Sequence, residues 1–346
     1  GVIGDVGDDN ILVGQGSPES EAYYDMQEYL KELKSSGILL AACSKNEEST
    51  AKKGINNKSS PLDLDDFSSF KANWTSKDLN ISNINDELNL SLEHSVFIDD
   101  NPVERDIVSQ NLPQVSVPKI GDVSDYVSII SSENYFERKS ITNEDINRVK
   151  YYEEDKLRKN SSSIFENYSD YLKSLKMVAS FSKINNENFN RVVQLINKTN
   201  QFNPTTKRYS GSEIEKIMIS NEYVAITSRL QDKYGDNGLV SIAIIKLENK
   251  TAHIELWVMS CRVFQRGLEQ AMFDKIIEEL KNRKIEDLTA SFYPTKKNMP
   301  VKDLFRVMGF ALVNEKDGNT NWKIKILPNY KEKSSNIVIE NLEWGK

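Results

Sequence analysis

Residues 37–46 read Gly-Ile-Leu-Leu-Ala-Ala-Cys-Ser-Lys-Asn. Ile38 to Ala42 is a continuous apolar run of strand length, the pattern of a central strand buried on both faces. It stops abruptly at Cys43-Ser44-Lys45-Asn46, which gathers polar residues at the carboxyl end of the strand. A second apolar run, Ser95 to Ile98, stops in the same way at Asp99-Asp100-Asn101-Pro102. Upstream, Ser17 suits a helix cap and Pro18 the first helical position, and Glu19 and Glu21 favour the positive helix end. Ala22, Met26, Tyr29, Leu30 and Leu33 then recur at helical spacing, with Gly37 placed to end the helix. LNISNINDELNL (79–90) reads as a further helix. Helices alternating with buried strands imply a parallel α/β sheet, which places ligands outside the carboxyl ends of its strands.

The remainder of the chain has a different grain. From about Pro113 to Asn185 it is rich in Ser, Asn, Tyr and charge and reads as a connector with helical pieces. The second half predicts a helix at Asn188 to Lys198, a polar loop at Thr199 to Ser210 and a short helix at Ser212 to Ile219. Strands follow near Tyr223 to Leu230, Gly238 to Leu247 and His253 to Ser260. A helix whose Leu268, Met272, Ile276 and Leu280 share one face comes next. A strand at Asp287 to Tyr293, a helix near Lys302 to Met308 and a hairpin containing Trp322 close the domain.

A length of 346 residues allows about two domains, and 38% apolar with 28% charged residues is enough to bury real cores. No apolar run reaches the roughly 18 residues that span a bilayer. A net charge of -7 argues against general nucleic-acid affinity. Two cysteines, Cys43 and Cys261, are too few for a disulfide framework, so a cytoplasmic location is expected. Residues 1–10, GVIGDVGDDN, carry neither an initiator Met nor a signal-peptide pattern, and read as the interior of something longer.

The chemistry concentrates at the strand ends. Two adjacent carboxylates after a buried strand, Asp99 and Asp100, suit Mg²⁺, which takes a few carboxylates together with substrate phosphate oxygens. A Ser hydroxyl and a Lys at neighbouring strand ends would complete a phosphate site. The alternative is that Asp99 and Asp100 simply cap the helix begun by Pro102.

These residues resemble a known family. CSKN (43–46), KANWTSK (71–77), VFIDDNPVERD (96–106) and QNLPQVSVP (110–118) are similar to the second, third and fourth motifs of the haloacid dehalogenase phosphatase superfamily, and more narrowly to its FkbH-like proteins. The resemblance continues through KTNQFNPTTKRY (198–209), DKYGDNGLV (232–240), MSCRVFQRGLEQA (259–271) and FYPTKKN (292–298), so it covers nearly the whole chain. It implies an α/β fold: an N-terminally incomplete Rossmannoid parallel sheet (1–140), a helical connector (141–185), a GNAT-like acyltransferase domain (186–330) and a tail (331–346). It also implies that Ser44 binds the transferring phosphoryl group, that Lys77 stabilises the phosphate and that Asp99 and Asp100 hold Mg²⁺, roles that neutralise phosphoryl charge. Lys45, Asn46, Asn101 and Arg105 are expected on the substrate side.

One departure from the family pattern is large. The superfamily's first motif, Asp-x-Asp-x-Thr after an apolar strand, supplies the aspartyl nucleophile and general acid, and in FkbH-like proteins it lies just upstream of a segment like Gly1-Val2-Ile3-Gly4. Asp63-Leu64-Asp65 has the spacing, but no apolar strand precedes it, and it is rejected as a substitute. The chain is expected to be a truncated form of a longer protein, which the absent Met favours, or a natural remnant. As written it is expected to lack aspartate-dependent phosphatase turnover.

FkbH-like proteins of polyketide extender-unit synthesis take a glyceryl group from 1,3-bisphosphoglycerate, hold it as an enzyme thioester and pass it to the phosphopantetheine thiol of an acyl carrier protein. Cys43, beside Ser44, is the expected nucleophile, with Lys45 and Lys77 expected to lower its pKa. Cys261, near Arg262 and Arg266, is the rival, and either cysteine is alternatively a packing residue. His94 and His253 have no evident cysteine partner. In the second half, the helix opening after Arg266-Gly267 resembles the GNAT loop that cradles the pyrophosphate of acyl-CoA on backbone N–H groups. Glu269 stands where that loop has its central Gly and opposes a pyrophosphate, so CoA is disfavoured. Asn200 and Arg208, in the polar loop, and Arg266 are candidate substrate contacts.

The leading expectation is glyceryl transfer to a carrier protein. The alternatives are an Mg²⁺-dependent phosphatase fused to an acyltransferase of cell-surface polysaccharide or amino-sugar synthesis, and a non-catalytic scaffold if the first motif is truly absent.

Overall fold

The computed structural model describes residues 13–14, 16–137 and 143–341, and Gly1 to Gly4, with their proposed place after a first motif, lie outside the described residues. The chain divides into two compact units, Gly1–Glu153 and Glu154–Lys346. No described helix is long and apolar enough to cross a membrane.

The first unit opens with α1 (Pro18–Ser35), where Ser17 and Ser20 bond each other's backbone N–H in a capping box. Gly37 ends it at φ 87°; a Cβ there would lie 1.7 Å from the Asp145 carbonyl oxygen, so only Gly fits. Then come β1 (Leu40–Ser44), α2 (Glu48–Ile55), β2 (Phe67–Ala72), α3 (Lys77–Glu87), α4 (Pro102–Asn111), α5 (Tyr126–Ser132) and α6 (Asn143–Ile146). β1 and β2 pair in parallel and form a two-stranded sheet. Two apolar clusters hold the unit: Met26, Ile120, Tyr126 and Ile130 in one, and Ile81, Phe97, Val108 and Val115 in the other.

Three expectations change here. Among the described residues β1 pairs only with β2, and Leu40 is its one buried residue, so the continuous burial expected of 38–42 is not seen. Residues 95–98 form no ladder, because their parallel pairing is confined to one bridge, Val96 with Ser116. Residues 67–72, passed over as polar, form β2, because pairing with β1 supplies what FSSFKA lacks in apolar pattern. Asp63-Leu64-Asp65 is a turn in front of that strand: Asp63 and Asp66 cap each other's backbone, and Lys34 pairs with Asp66 at 2.7 Å.

After α7 (Arg148–Ser162) and α8 (Tyr168–Ser174), the second unit is built on one sheet of eight strands. These are β3 (Met177–Ser182), β4 (Tyr223–Asp232), β5 (Gly235–Glu248), β6 (Thr251–Met259), β7 (Asp287–Phe292), β8 (Ala311–Lys316), β9 (Asn319–Lys325) and β10 (Ile337–Asn341), in the order β10-β3-β4-β5-β6-β7-β9-β8. Helices α9 (Phe189–Lys198) and α10 (Gly211–Ile219) lie between β3 and β4 in sequence, α11 (Leu268–Asn282) between β6 and β7, and α12 (Leu304–Val307) before β8. Alternation along β6 serves two cores. Trp257 joins Phe273, Ile276 and Phe305 on the α11 side, while Leu256 and Val258 join Val192, Ile196 and Ile214 on the α9–α10 side. Residues 177–182 of the expected connector are thus a strand, with Met177, Ala179 and Phe181 inward. Residues 337–341 of the expected tail add β10 in parallel to it.

β6 and β7 are parallel neighbours, and among the described residues they pair over residues 251–254 and 287–290. Beyond that the strands diverge, and the loop before α10 enters the fork. Met259 N–H donates to the Phe202 carbonyl at 3.3 Å, Tyr293 N–H to the Pro204 carbonyl at 2.9 Å, and the Thr205 hydroxyl to the Glu255 carbonyl at 3.0 Å.

Candidate active site

Within the first unit, Cys43 and Ser44 at the end of β1, Lys77 at the start of α3, and Asp99 and Asp100 before α4 line one cavity of about 500 Å³. Its other walls mix apolar residues such as Leu40, Ile81 and Phe97 with the polar Gln27, Asn85 and His94. Asp99 is buried and Asp100 exposed. Lys77 Nζ forms an ion pair with Asp99 Oδ2, and Asn101 N–H donates to Asp99 Oδ1 at 3.0 Å. The helix cap is the Asn101 side chain, which accepts from Val103 N–H at 2.9 Å, so Asp99 and Asp100 are not spent on capping α4.

Arg105 holds the acidic turn from behind: it donates to the carbonyls of Asp99 (2.6 Å), Asp100 (2.9 Å) and Ile120 (3.1 Å). Lys45 is bound by Glu104 Oε1 at 2.5 Å, and Asn46 Oδ1 accepts from the Glu47 N–H. Glu104, which sequence reasoning passed over, is buried, and its Oε2 has no hydrogen-bond partner. Its position inside DDNPVER was the available signal.

The cysteines differ from expectation. Burial pushes the Cys43 thiol up to about 11, an effect that Lys77 opposes and Asp99 and Glu104 reinforce. The lysines are already paired with carboxylates, so they do not deliver the lowered pKa expected of them. Cys43 Sγ lies 3.9 Å from the Lys77 carbonyl oxygen. Cys261 is exposed as a residue, yet the protein packed round its sulfur pushes that thiol up as well, against the pull of Arg262. His253 bonds Thr289 at 2.9 Å, and exposed His94 lies 3.9 Å from Glu93.

Mg²⁺ can be tested against the donors. Among the described residues no three His, Cys, Asp or Glu side chains cluster as a ready-made metal site. Asp99 and Asp100 nonetheless supply the one or two carboxylates that Mg²⁺ takes when waters and phosphate oxygens complete its shell.

The second unit keeps its candidate residues in internal bonds. Asn200 Oδ1 accepts from Arg208 at 2.7 Å, and Arg208 also donates to the Ile196 carbonyl at 2.7 Å. Arg266 pairs with Asp155 at 3.2 Å and Asp232 at 3.5 Å. Both carboxylates also meet Arg158, which is 2% exposed and binds Asp232 at 2.7 Å. Glu269 Oε1 accepts from Gln265 N–H at 2.6 Å and Oε2 from Gly267 N–H at 3.2 Å.

No family model and no curated protein matches the chain. Solved structures do. One is the N-terminal part of the Bacteroides fragilis protein BF1531, containing a phosphatase domain complexed with Mg; it is 43% identical over 40% of this chain and 38% of that one, at a TM-score of 0.39. Others are acetyltransferases: the ribosomal-protein-S18-alanine N-acetyltransferase of Escherichia coli (14% identity, 44% of this chain, 99% of that one, TM-score 0.34) and the PaiA N-acetyltransferase of Thermoplasma acidophilum in complex with coenzyme A (8%, 42%, 98%, 0.36). The chain spans well under half of the phosphatase-domain structure it matches. Both units of this chain are mixed α/β.

Proposed function

We propose that this chain is part of an FkbH-like glyceryl transferase/phosphatase of the cytoplasm, whose first unit handles a phosphorylated donor. The observation that carries the reading is the convergence of Ser44, Lys77, Asp99 and Asp100 on one cavity from three separate segments. Ser44 binds a phosphoryl oxygen, and Lys77 turns from Asp99 toward the phosphate as it gains charge. Asp99 and Asp100 would hold Mg²⁺, which would supply charge neutralisation to the phosphoryl oxygens. Arg105 acts as a positioning residue that fixes the backbone of the acidic turn.

With 1,3-bisphosphoglycerate as donor, the Cys43 sulfur attacks the acyl carbonyl, the carbon–oxygen bond to the acyl phosphate breaks, and inorganic phosphate leaves with the thiol proton, giving a 3-phosphoglyceryl thioester. Hydrolysis of the remaining phosphoester by water, the phosphatase half of the reading, releases a second phosphate and leaves the glyceryl thioester. The glyceryl thioester is then attacked by the phosphopantetheine thiol of an acyl carrier protein, which returns Cys43 as a thiol. The phosphate leaving group needs no prior protonation, because an acyl phosphate is already activated.

The test is intact-protein mass spectrometry on the protein in its longest encoded form, with Mg²⁺ and fresh 1,3-bisphosphoglycerate. Cys43→Ser and Cys261→Ser variants run beside it. A glyceryl adduct lost only in Cys43→Ser supports the assignment. Loss only in Cys261→Ser moves the thioester to the second unit. Absence of any adduct with an intact donor overturns glyceryl transfer and favours the Mg²⁺-dependent phosphatase paired with another acyl acceptor.

A further inference from the structure

The GNAT likeness brings acyl-CoA with it, and the second unit can be tested for the fit. Such a ligand needs two things from this architecture: backbone N–H groups at the start of α11 for its pyrophosphate, and free backbone between the diverging β6 and β7 for its extended arm. Both are taken. At the helix start, Gln265 and Gly267 both have positive φ (63° and 93°), and both N–H groups end on the carboxylate of Glu269, which is only 5% exposed. In the fork, the Met259 and Tyr293 N–H groups end on the carbonyls of Phe202 and Pro204. Phe202 is 1% exposed and stacks edge-on against Trp257, so this loop belongs to the core. Arg266, next to Gly267 in sequence, is committed to Asp155 and Asp232.

We propose that the second unit is closed to CoA because it carries its own anion, the Glu269 carboxylate, in the phosphate position, and that the adjoining cavity takes an uncharged ligand with a hydrogen-bond donor. That cavity holds about 470 Å³, has an apolar wall that includes Leu172, Phe264 and Leu304, and carries Lys333 and Asp303, of opposite charge, on its lining. One wall is Gln270, whose Oε1 is buried without a hydrogen-bond partner. A buried carbonyl oxygen left unmatched costs free energy that an incoming N–H or O–H recovers. The same place repels phosphate, since a second anion beside Glu269 meets like charge in a desolvated corner. This inference stands whichever acyl donor the first unit uses.

The test titrates the full chain with CoA and, separately, with phosphate-free pantetheine, by calorimetry. The expected result is no saturable CoA binding and measurable pantetheine binding, the latter weakened in Gln270→Leu. Glu269→Gly frees both N–H groups and restores the Gly of the phosphate-loop pattern, so it is expected to tighten CoA roughly tenfold or more. Glu269→Gln, isosteric and neutral, guards against a Gly variant that fails to fold, and is expected to gain in the same direction by less. Saturable CoA binding by the native chain overturns the closure. So do folded Glu269 variants that bind CoA no better than native. Native protein that ignores pantetheine at millimolar concentration overturns the ligand class.

Discussion

Each unit buries a carboxylate at the edge of a cavity, and the two hold it by opposite means. In the first, Asp99 is held by a mobile-ended side chain, Lys77, in a cavity that also presents Ser44 and Asp100. In the second, Glu269 is held by two fixed backbone N–H groups beside an apolar cavity. A lysine can leave one anion for another by rotating its side chain, whereas backbone donors locked in a loop cannot reorient. The first arrangement is a site that an incoming phosphate can enter by exchange. The second is a site already filled. The same carboxylate chemistry therefore supports ligand handling in one place and exclusion in the other, and the difference lies in what the carboxylate is bonded to.

The largest expected effect breaks the comparison from the second unit's side, where buried charges are structural. Arg158 is enclosed by Asp155, Asp232 and Glu154. Arg158→Ala leaves Asp232 buried without its main partner and should cost about 3–5 kcal/mol, read from urea unfolding. Replacing both partners, Arg158→Met with Asp232→Leu, should recover most of that loss. If the single variant costs under about 1 kcal/mol, the network is decoration. pH provides a second reading. Burial by itself would raise the Asp232 carboxyl, but Arg158, the Tyr234 N–H and Arg266 hold it below the ordinary carboxylate range. A folded-state value below the unfolded one, near 3.9, stabilises at neutral pH, and that stability is lost as pH falls through the folded value. The urea midpoint should drop on acidification below about pH 4. Asp232→Asn, itself less stable, should show a flatter acid dependence.

The cysteines sharpen the comparison next. A thiol pushed up to about 11 is ionised at pH 8 to roughly one part in a thousand, about two hundred times less than an ordinary cysteine. Cys43 should therefore react slowly with iodoacetamide, by about that factor, and exposed Cys261 should be labelled first, as followed by peptide mass spectrometry. Labelling of Cys43 ahead of Cys261 would show that the first unit activates its thiol in solution despite the burial.

How far the sequence anticipates all this differs between the units for physical reasons. The strands of the second unit announce themselves because β4, β5 and β6 are long and stack apolar residues against two cores, and α11 carries its core face at helical spacing. β3 and β10 escaped notice: MVASFS and IVIEN are short and lie in polar surroundings, and it is ladder pairing, of β3 with β4 and of β10 with β3, that makes them strands. The acidic turn was legible because two carboxylates after an apolar run are conspicuous. Arg158 was not. A helix reading RVKYYEEDKLRKNSS gives no sign that one of its many charges is interior, since the partner that buries it stands 74 residues away. Glu269 was visible as a break in a loop pattern, but its two N–H partners required coordinates.

The smallest effect tests the acidic turn itself. Asn101 caps α4 through Val103 N–H, and its own N–H bonds Asp99, so one residue joins the helix to the site. Asn101→Ala removes the cap but keeps the backbone N–H on Asp99. It should cost about 1 kcal/mol of stability in urea unfolding, with Asp or Ser in its place recovering most of it. If the turn is held by Arg105 on the Asp99 and Asp100 carbonyls, as its three bonds indicate, the Ala variant should keep native affinity for inorganic phosphate in the presence of Mg²⁺. Arg105→Met should lose that affinity while costing little more in stability. Were the Ala variant instead to lose phosphate binding with the fold intact, the cap rather than the arginine would be what aims Asp99, and the first unit would depend on its helix terminus as the second depends on the start of α11.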